Sequence, residues 1–370
     1  MFSFLTAIFL TFILLIPLHY ADEKKKKVKV TTMSGSKYYK VHDIWFYLWY
    51  ALAILPIFFV SAFRDKTVGS DNRGIYYSSF IESTRGIDDN HFELGFKSLV
   101  KVIAFVTDNY QWFDIITSFI ILVLVFYVIE RDSQNIAYSY LLFVITGMYV
   151  YSLSGIRQYV AIAIMLAGFK YIFEKKLGKY ILCIVFASLF HTGILVTIVL
   201  YFLVNSKKRI FTPRVMIGSL LVLFVGRQIV SVIIGKILWG TRYYGYLVSI
   251  SSSVFQKVVF ILQVGILVIM MLYYKSAVND KKYMLAYWSQ SLSVAMVLFT
   301  GIIPEISRVA WYFMAYQIVG IPATMTYVKK RSVRIIWTIG IVAVHLIYFV
   351  YDFIYMEYYE VFPYTFCFFK

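Results

Sequence analysis

The sequence predicts an all-α, polytopic integral membrane protein with about 11 membrane segments, one of them a candidate re-entrant hairpin. Three observations carry that reading. Hydrophobic residues make up 61% of the 370 residues and charged residues only 15%, too few charges for a soluble domain of this length. Apolar runs of about 20 residues recur from end to end, the length that crosses about 30 Å of hydrocarbon. The runs are continuous rather than alternating, unlike the strands of a membrane β-barrel. Helices are then the remaining way to satisfy every backbone group in lipid.

The first run covers about residues 2–20. It has the length of a signal peptide, but no positive charge precedes it and Lys24 to Lys27 follow it. That polarity reads as an uncleaved helix with its N-terminus outside. The second run is at about 44–62, and a long polar stretch at about 63–110 reads as an outer loop. Further runs lie at about 111–129, 137–153, 156–173, 180–204, 215–234, 254–274, 284–303, 309–328 and 335–355. No soluble domain or repeat separates them, so the whole chain reads as a single transmembrane domain.

Simple alternation of these runs leaves Lys207, Lys208, Arg209 and Arg214 outside, and later Lys329, Lys330, Arg331 and Arg334 as well. Both groups break the positive-inside tendency. A hairpin at 180–204, entering and leaving on one side with Phe190-His191-Thr192-Gly193 at its tip, repairs both. Such a tip is tolerated where protein or water satisfies its backbone. One long crossing, with an exception to the rule, is the alternative.

The net charge of +17 does not signal nucleic acid, because the Lys and Arg residues sit in short loops between apolar runs, where they orient a membrane protein. Cys183 and Cys367 lie in apolar or aromatic surroundings and suggest neither a disulfide framework nor a metal site. His19, His42, His91 and His345 have no companion at metal-ligand spacing. Pairs such as Tyr149 and Tyr151, or Tyr243 and Tyr244, stand near segment ends, where amphipathic rings favour the headgroup layer. Tyr76, Tyr77, Tyr110 and Trp112 are also candidates for stacking on a substrate ring. No phosphate-binding loop, dinucleotide fingerprint or serine-hydrolase elbow occurs.

With the hairpin in place, Arg64, Asp71, Glu93, Arg157, Arg242 and Arg308 all fall on the outer side. Single arginines beside helix ends there ask for a reason. Several stand in recognisable company. Phe63-Arg64-Asp65 leads into Val68-Gly69-Ser70-Asp71 and Tyr76-Tyr77, and Phe92-Glu93-Leu94-Gly95-Phe96 follows. Ser154-Gly155-Ile156-Arg157-Gln158 precedes a Lys-rich turn and Phe190-His191-Thr192-Gly193, and Ile306-Ser307-Arg308 stands near the end. Together these resemble the EpsG-like family of Wzy-type polysaccharide polymerases, over about residues 44–328. The Ile-Arg-Gln and Phe-His pair is the most specific part. Ser70 stands where a Thr is usual in that family. The loop at about 22–40 and the chain after about 335 carry little of the likeness.

The resemblance implies a function. Such proteins join undecaprenyl-diphosphate-linked repeats into O-antigen, capsule or exopolysaccharide at the outer face of a bacterial inner membrane. It also implies a fold similar to metal-independent membrane glycosyltransferases that use polyprenyl-diphosphate donors, with no cofactor. A flippase and a chain-length regulator are the partners it implies.

Transfer from a lipid diphosphate needs a stabilised leaving group, an activated hydroxyl and in-line positioning. Arg157 is the leading candidate for the diphosphate, near the start of a helix whose amides also favour an anion. The bland alternative is an interfacial anchor. Arg308, with Glu305 to orient it, is the second candidate, against a local salt bridge. Arg242 is a candidate for sugar or phosphate. Arg227, inside an apolar run, either lines a lipid path or is a packed structural charge. His191 is the candidate general base, set against the ordinary packed histidine. Asp71 and Glu93 are alternative bases or sugar ligands. For Arg64 a structural pair with Asp71 competes with substrate binding. Asp88 and Asp89 read as a solvated turn. Two other classes stay open beside the polymerase: a flippase for the same lipid, and a membrane glycan ligase or acyltransferase.

Overall fold

Asp43 caps the second helix by accepting from the Phe46 amide at 3.0 Å, and nineteen residues, nearly all apolar, then run as one helix to Ala62. Of this kind the chain has several. The structure, a computed structural model, describes residues 2–23, 26–32, 35–41, 43–87, 92–206, 212–239, 254–300, 303 and 306–368. Glu305, Arg242, Asp88, Asp89 and the Lys208 loop fall outside the described residues.

The elements in order are α1 (Phe2–Glu23), a two-stranded antiparallel ribbon of β1 (Lys26–Thr32) and β2 (Gly35–Val41), and α2 (Ile44–Ala62). The outer loop folds into a π-turn (Asn72–Tyr76), α3 (Tyr77–Thr84) and α4 (Leu94–Val106). Then come α5 (Gln111–Asp132), α6 (Ile136–Ile145), α7 (Met148–Ser154), α8 (Ile156–Gly168), α9 (Lys170–Phe173) and α10 (Leu177–Ser188). A 3₁₀ segment (Thr192–Ile198), α11 (Val199–Asn205), α12 (Pro213–Leu238), α13 (Val254–Ala277) and α14 (Lys281–Leu298) follow. The chain closes with α15 (Ile306–Met314), α16 (Gln317–Met325), α17 (Arg331–Phe349) and short irregular helical turns. The small ribbon is the exception to the expected all-helical chain.

Among the described residues, seven helices are long and apolar enough to cross a membrane, and an eighth joins them if α6 and α7, bent by 49°, count as one span. The chain is a multi-pass membrane protein. Three of the eleven expected spans fail the same test for physical reasons. The run at 284–303 lies on α14, which buries Ser289, Gln290, Ser291 and Ser293. Gln290 and Gln317 both donate to Gln263, at 2.9 and 2.6 Å, closing a buried amide network between α13, α14 and α16. Such polar bonds join helices where lipid gives no hydrophobic drive. The run at 309–328 breaks at Ala315 and Tyr316 into two nine-residue helices.

The run at 180–204 is the third. It turns back on itself at Leu189 to His191. Tyr180, near its start, donates to the Thr197 carbonyl at 2.8 Å and stacks on Tyr201. Asn205, at its end, donates to the Ile172 carbonyl at 3.1 Å, just ahead of α10. The two limbs therefore begin and end together, as the hairpin reading expects and a single crossing does not.

Large apolar side chains face outward on the long helices, as a lipid solvent requires; Val225 on α12 is 81% exposed. The polar residues gather at two poles. One holds the outer loop and the hairpin tip. The other holds Arg131, Asp132 and Lys282, with Asp132 accepting from both cations, and Lys281 on the Phe173 carbonyl.

Candidate active site

Two sequence motifs meet because of one glycine. Gly69 has φ +93°, a conformation open to Gly at little cost. A Cβ there would lie 2.9 Å from the Leu153 carbonyl oxygen. The loop thus rests directly on the end of α7. Ser70 and Ser154 hydroxyls are 3.2 Å apart, and the Asp71 amide donates to Ser154 Oγ at 3.3 Å. Gly155 then separates α7 from α8, so Arg157 emerges in the first turn of α8 beside Asp71.

The hairpin tip docks on the start of α4. The amides of Gly95 and Phe96 both donate to the Leu189 carbonyl, at 2.8 and 3.2 Å. A Cβ on Gly95 would meet that oxygen at 2.9 Å. Glu93, just ahead of α4, joins the two halves. Its carboxylate accepts from Arg157 at 2.7 Å and from the Thr192 amide at 3.2 Å. The Arg157 guanidinium also lies over the Phe92 ring, 4.5 Å from its centroid. This packing makes a first prediction. Gly95→Ala should lower the melting temperature of the detergent-purified protein, by roughly 1–3 kcal/mol of overpacking, whereas Gly74→Ala, where an added Cβ meets nothing within 4 Å, should leave it near wild type.

His191 sits at the tip in extended backbone, and its Nδ1 is 2.7 Å from the Tyr312 hydroxyl. Burial, with the charges of Arg157 and Arg308 and against that of Glu93, lowers its pKa to about 4. The imidazole is therefore neutral near pH 7. For Nε2 to accept a proton, Nδ1 must carry the hydrogen and donate to Tyr312. Asp71 is pushed above the usual carboxylate range by burial, partly offset by Arg308 and Arg157.

Arg308 stands in the first turn of α15, and its carbonyl accepts from the Gln158 side chain at 2.6 Å. Asp71, Arg157, His191 and Arg308 line one cleft, with Gln158 and Tyr359 among its other walls. Two helix N-termini, each with an arginine in the first turn, thus converge there, and helix N-termini favour anions.

Other expected residues go elsewhere. Arg64 is 1% exposed. It pairs with Asp114 rather than Asp71, and also donates to the Ser61 carbonyl and, at 3.2 Å, to Ser118 Oγ. A guanidinium sealed in this way is a strut between α2 and α5, not a substrate ligand. Arg227 stacks over Phe224 on α12 and is not among the cleft's walls. Tyr76 is buried among Phe92, Phe96 and Phe113 yet forms part of the cleft wall beside Arg157, whereas Tyr110 is bonded to Asn72 at 2.5 Å and is not among the cleft's walls.

Tyr312 and Tyr359 were not singled out by sequence reasoning, and Gln158 entered only as part of the Ile-Arg-Gln motif, with no role of its own. Tyr312 lies four residues after Arg308, on the same face of a helix, which is a signal that could have found it. Tyr359 arrives on the C-terminal strap, which is tied to the outer loop by Gly69 donating to the Glu360 carbonyl and Asp65 to that of Thr365, both at 2.9 Å.

No curated protein and no solved structure matches this chain significantly. The family model of EpsG matches residues 47–366, which takes in every wall of the cleft and the strap that closes it, and the chain belongs to the EpsG family.

Proposed function

We propose that the protein polymerises lipid-linked oligosaccharide repeats, joining undecaprenyl-diphosphate-linked units into a surface polysaccharide on the outer face of the bacterial inner membrane. The observation that carries the reading is the convergence of Arg157, Arg308, His191 and Asp71 on one cleft at one pole. Membership of the EpsG family supports it.

The step is a glycosyl transfer. A hydroxyl of the incoming repeat forms a bond to the anomeric carbon of the growing chain. The bond from that carbon to the lipid diphosphate breaks, and the diphosphate leaves as an anion. Arg157 and Arg308 stabilise it, since guanidinium forks match phosphate oxygens and stay charged. His191 takes the hydroxyl proton, with Tyr312 fixing its ring; Asp71 is the alternative acceptor or a ligand for sugar hydroxyls. The cleft now has about 10 Å³ of room, roughly what one water needs. Substrate must therefore part its walls, and the diphosphate competes with Glu93 for Arg157.

The test compares cells lacking the gene with complemented cells, running surface polysaccharide and lipid-linked intermediates on a gel. The deletion should leave single repeats on lipid, displayed outside, where wild type gives a ladder. Long chains persisting in the deletion would overturn the reading. Single repeats trapped inside would move the function to lipid translocation.

A further inference from the structure

The pole opposite the cleft carries a second cavity, of about 1000 Å³, at the upper end of the size of small-molecule sites. It lies between the end of α1, α6, the end of α16 and α17. Its long wall is apolar, with Phe12, Leu15, Leu141 and Ile339 along it. Its other end is basic and polar, with Arg331, Arg334 and Tyr138. An apolar length with a cationic end has the shape of a phospholipid's requirements.

Two further observations point to a ligand. Arg331 and Arg334 are one helical turn apart on α17 and both exposed, and neither has a carboxylate partner among the described residues. Tyr138 is 9% exposed, yet its hydroxyl is buried without a hydrogen-bond partner. A buried hydroxyl left unpaired is costly, so this one is an unused donor in the wall of the groove.

The side of the membrane follows from charge. Asn135, on the rim of this groove, begins the helix that follows Asp132, where Arg131 and Lys282 gather. Lys329, Lys330, Arg331 and Arg334 stand at the same pole. By the positive-inside tendency this pole is cytoplasmic, and that leaflet presents anionic headgroups to basic pockets between helices.

We propose that this groove is a binding site for an anionic phospholipid of the cytoplasmic leaflet. Arg331 and Arg334 take its phosphodiester, Tyr138 donates to a headgroup or ester oxygen, and the acyl chains lie along the apolar wall. A zwitterionic lipid fits less well, because its ammonium would face the two guanidiniums. The site is separate from the candidate active site, and its test needs no glycan.

The full-length protein would be purified in detergent and offered phosphatidylglycerol, phosphatidylcholine, undecaprenyl phosphate or inorganic phosphate, with retained lipid read by native mass spectrometry. Phosphatidylglycerol should be retained in preference to the others. Arg331→Gln/Arg334→Gln should weaken its retention about thirtyfold, the effect expected for two basic side chains at an anionic surface. Tyr138→Phe should weaken it by a smaller factor. Lys329→Gln/Lys330→Gln removes the same charge outside the groove and should keep retention near wild type; it also controls for folding. Equal retention of phosphatidylglycerol and phosphatidylcholine would overturn the proposal. So would preference for undecaprenyl phosphate, equal retention of inorganic phosphate alone, or an equal loss in the two double variants.

Discussion

Arg157→Ala is expected to lower polymer formation about a hundred- to a thousandfold, the usual cost of removing one donor that stabilises developing negative charge. The protein should remain folded. The Arg157–Glu93 pair is mostly covered, with side chains 19% and 17% exposed, so its loss costs some stability, but Glu93 keeps its bond to the Thr192 amide. Arg157→Lys is the sharper test. A Lys at an interface anchors as well as an Arg, but it lacks the planar fork, so about a tenfold loss is expected, one strong hydrogen bond's worth. The measurement is ladder formation from labelled lipid-linked repeats in membrane vesicles, beside a melting curve of each purified variant. Full activity in Arg157→Lys would make the residue an anchor and leave the diphosphate to Arg308.

The spans were legible wherever an apolar run was unbroken. The runs at 44–62, 111–129 and 156–173 correspond to Ile44–Ala62, Gln111–Asp132 and Ile156–Phe173. Local chemistry suffices there, because burial in lipid is decided residue by residue. It does not suffice for breaks imposed by packing. Nothing in Ala315-Tyr316 marks a helix end, yet the chain breaks there, where Tyr316 is fully buried and packed edge-on against Phe169. The stretch at 63–110 read as a loop because it is polar, and is largely helical because its aromatic residues pack together.

The site divides along the same line. Arg157, His191, Asp71, Glu93 and Arg308 were each visible as a polar residue in unusual company, and the fold gathers them. Arg64 was equally visible, and its partner was not. Asp114 lies fifty positions away in sequence, in the first turn of a hydrophobic helix, and no local pattern connects the two. The C-terminal strap carried little of the family likeness to the eye, yet it supplies Tyr359 to the cleft and meets Arg64 through an isolated bridge at Phe366.

Arg64 therefore makes the second large prediction, and it is one of stability. Arg64→Leu should destabilise the folded protein by about 3–5 kcal/mol, because it leaves the Asp114 carboxylate buried without its cation. Asp114 is itself fully buried, so water cannot take the guanidinium's place. The double variant Arg64→Leu/Asp114→Leu should recover much of that loss, since replacing both members of a buried pair by apolar side chains removes the unpaired charge. Thermal unfolding in detergent and the yield of monodisperse protein would measure both. If Arg64 instead held substrate, the single variant would fold normally and lose product, and the double variant would be no better. Recovery of fold in the double variant, with polymer formation restored in proportion, would fix Arg64 as the strut that holds α2 against α5 and so keeps the outer loop, and Asp71 with it, in place over the start of α8.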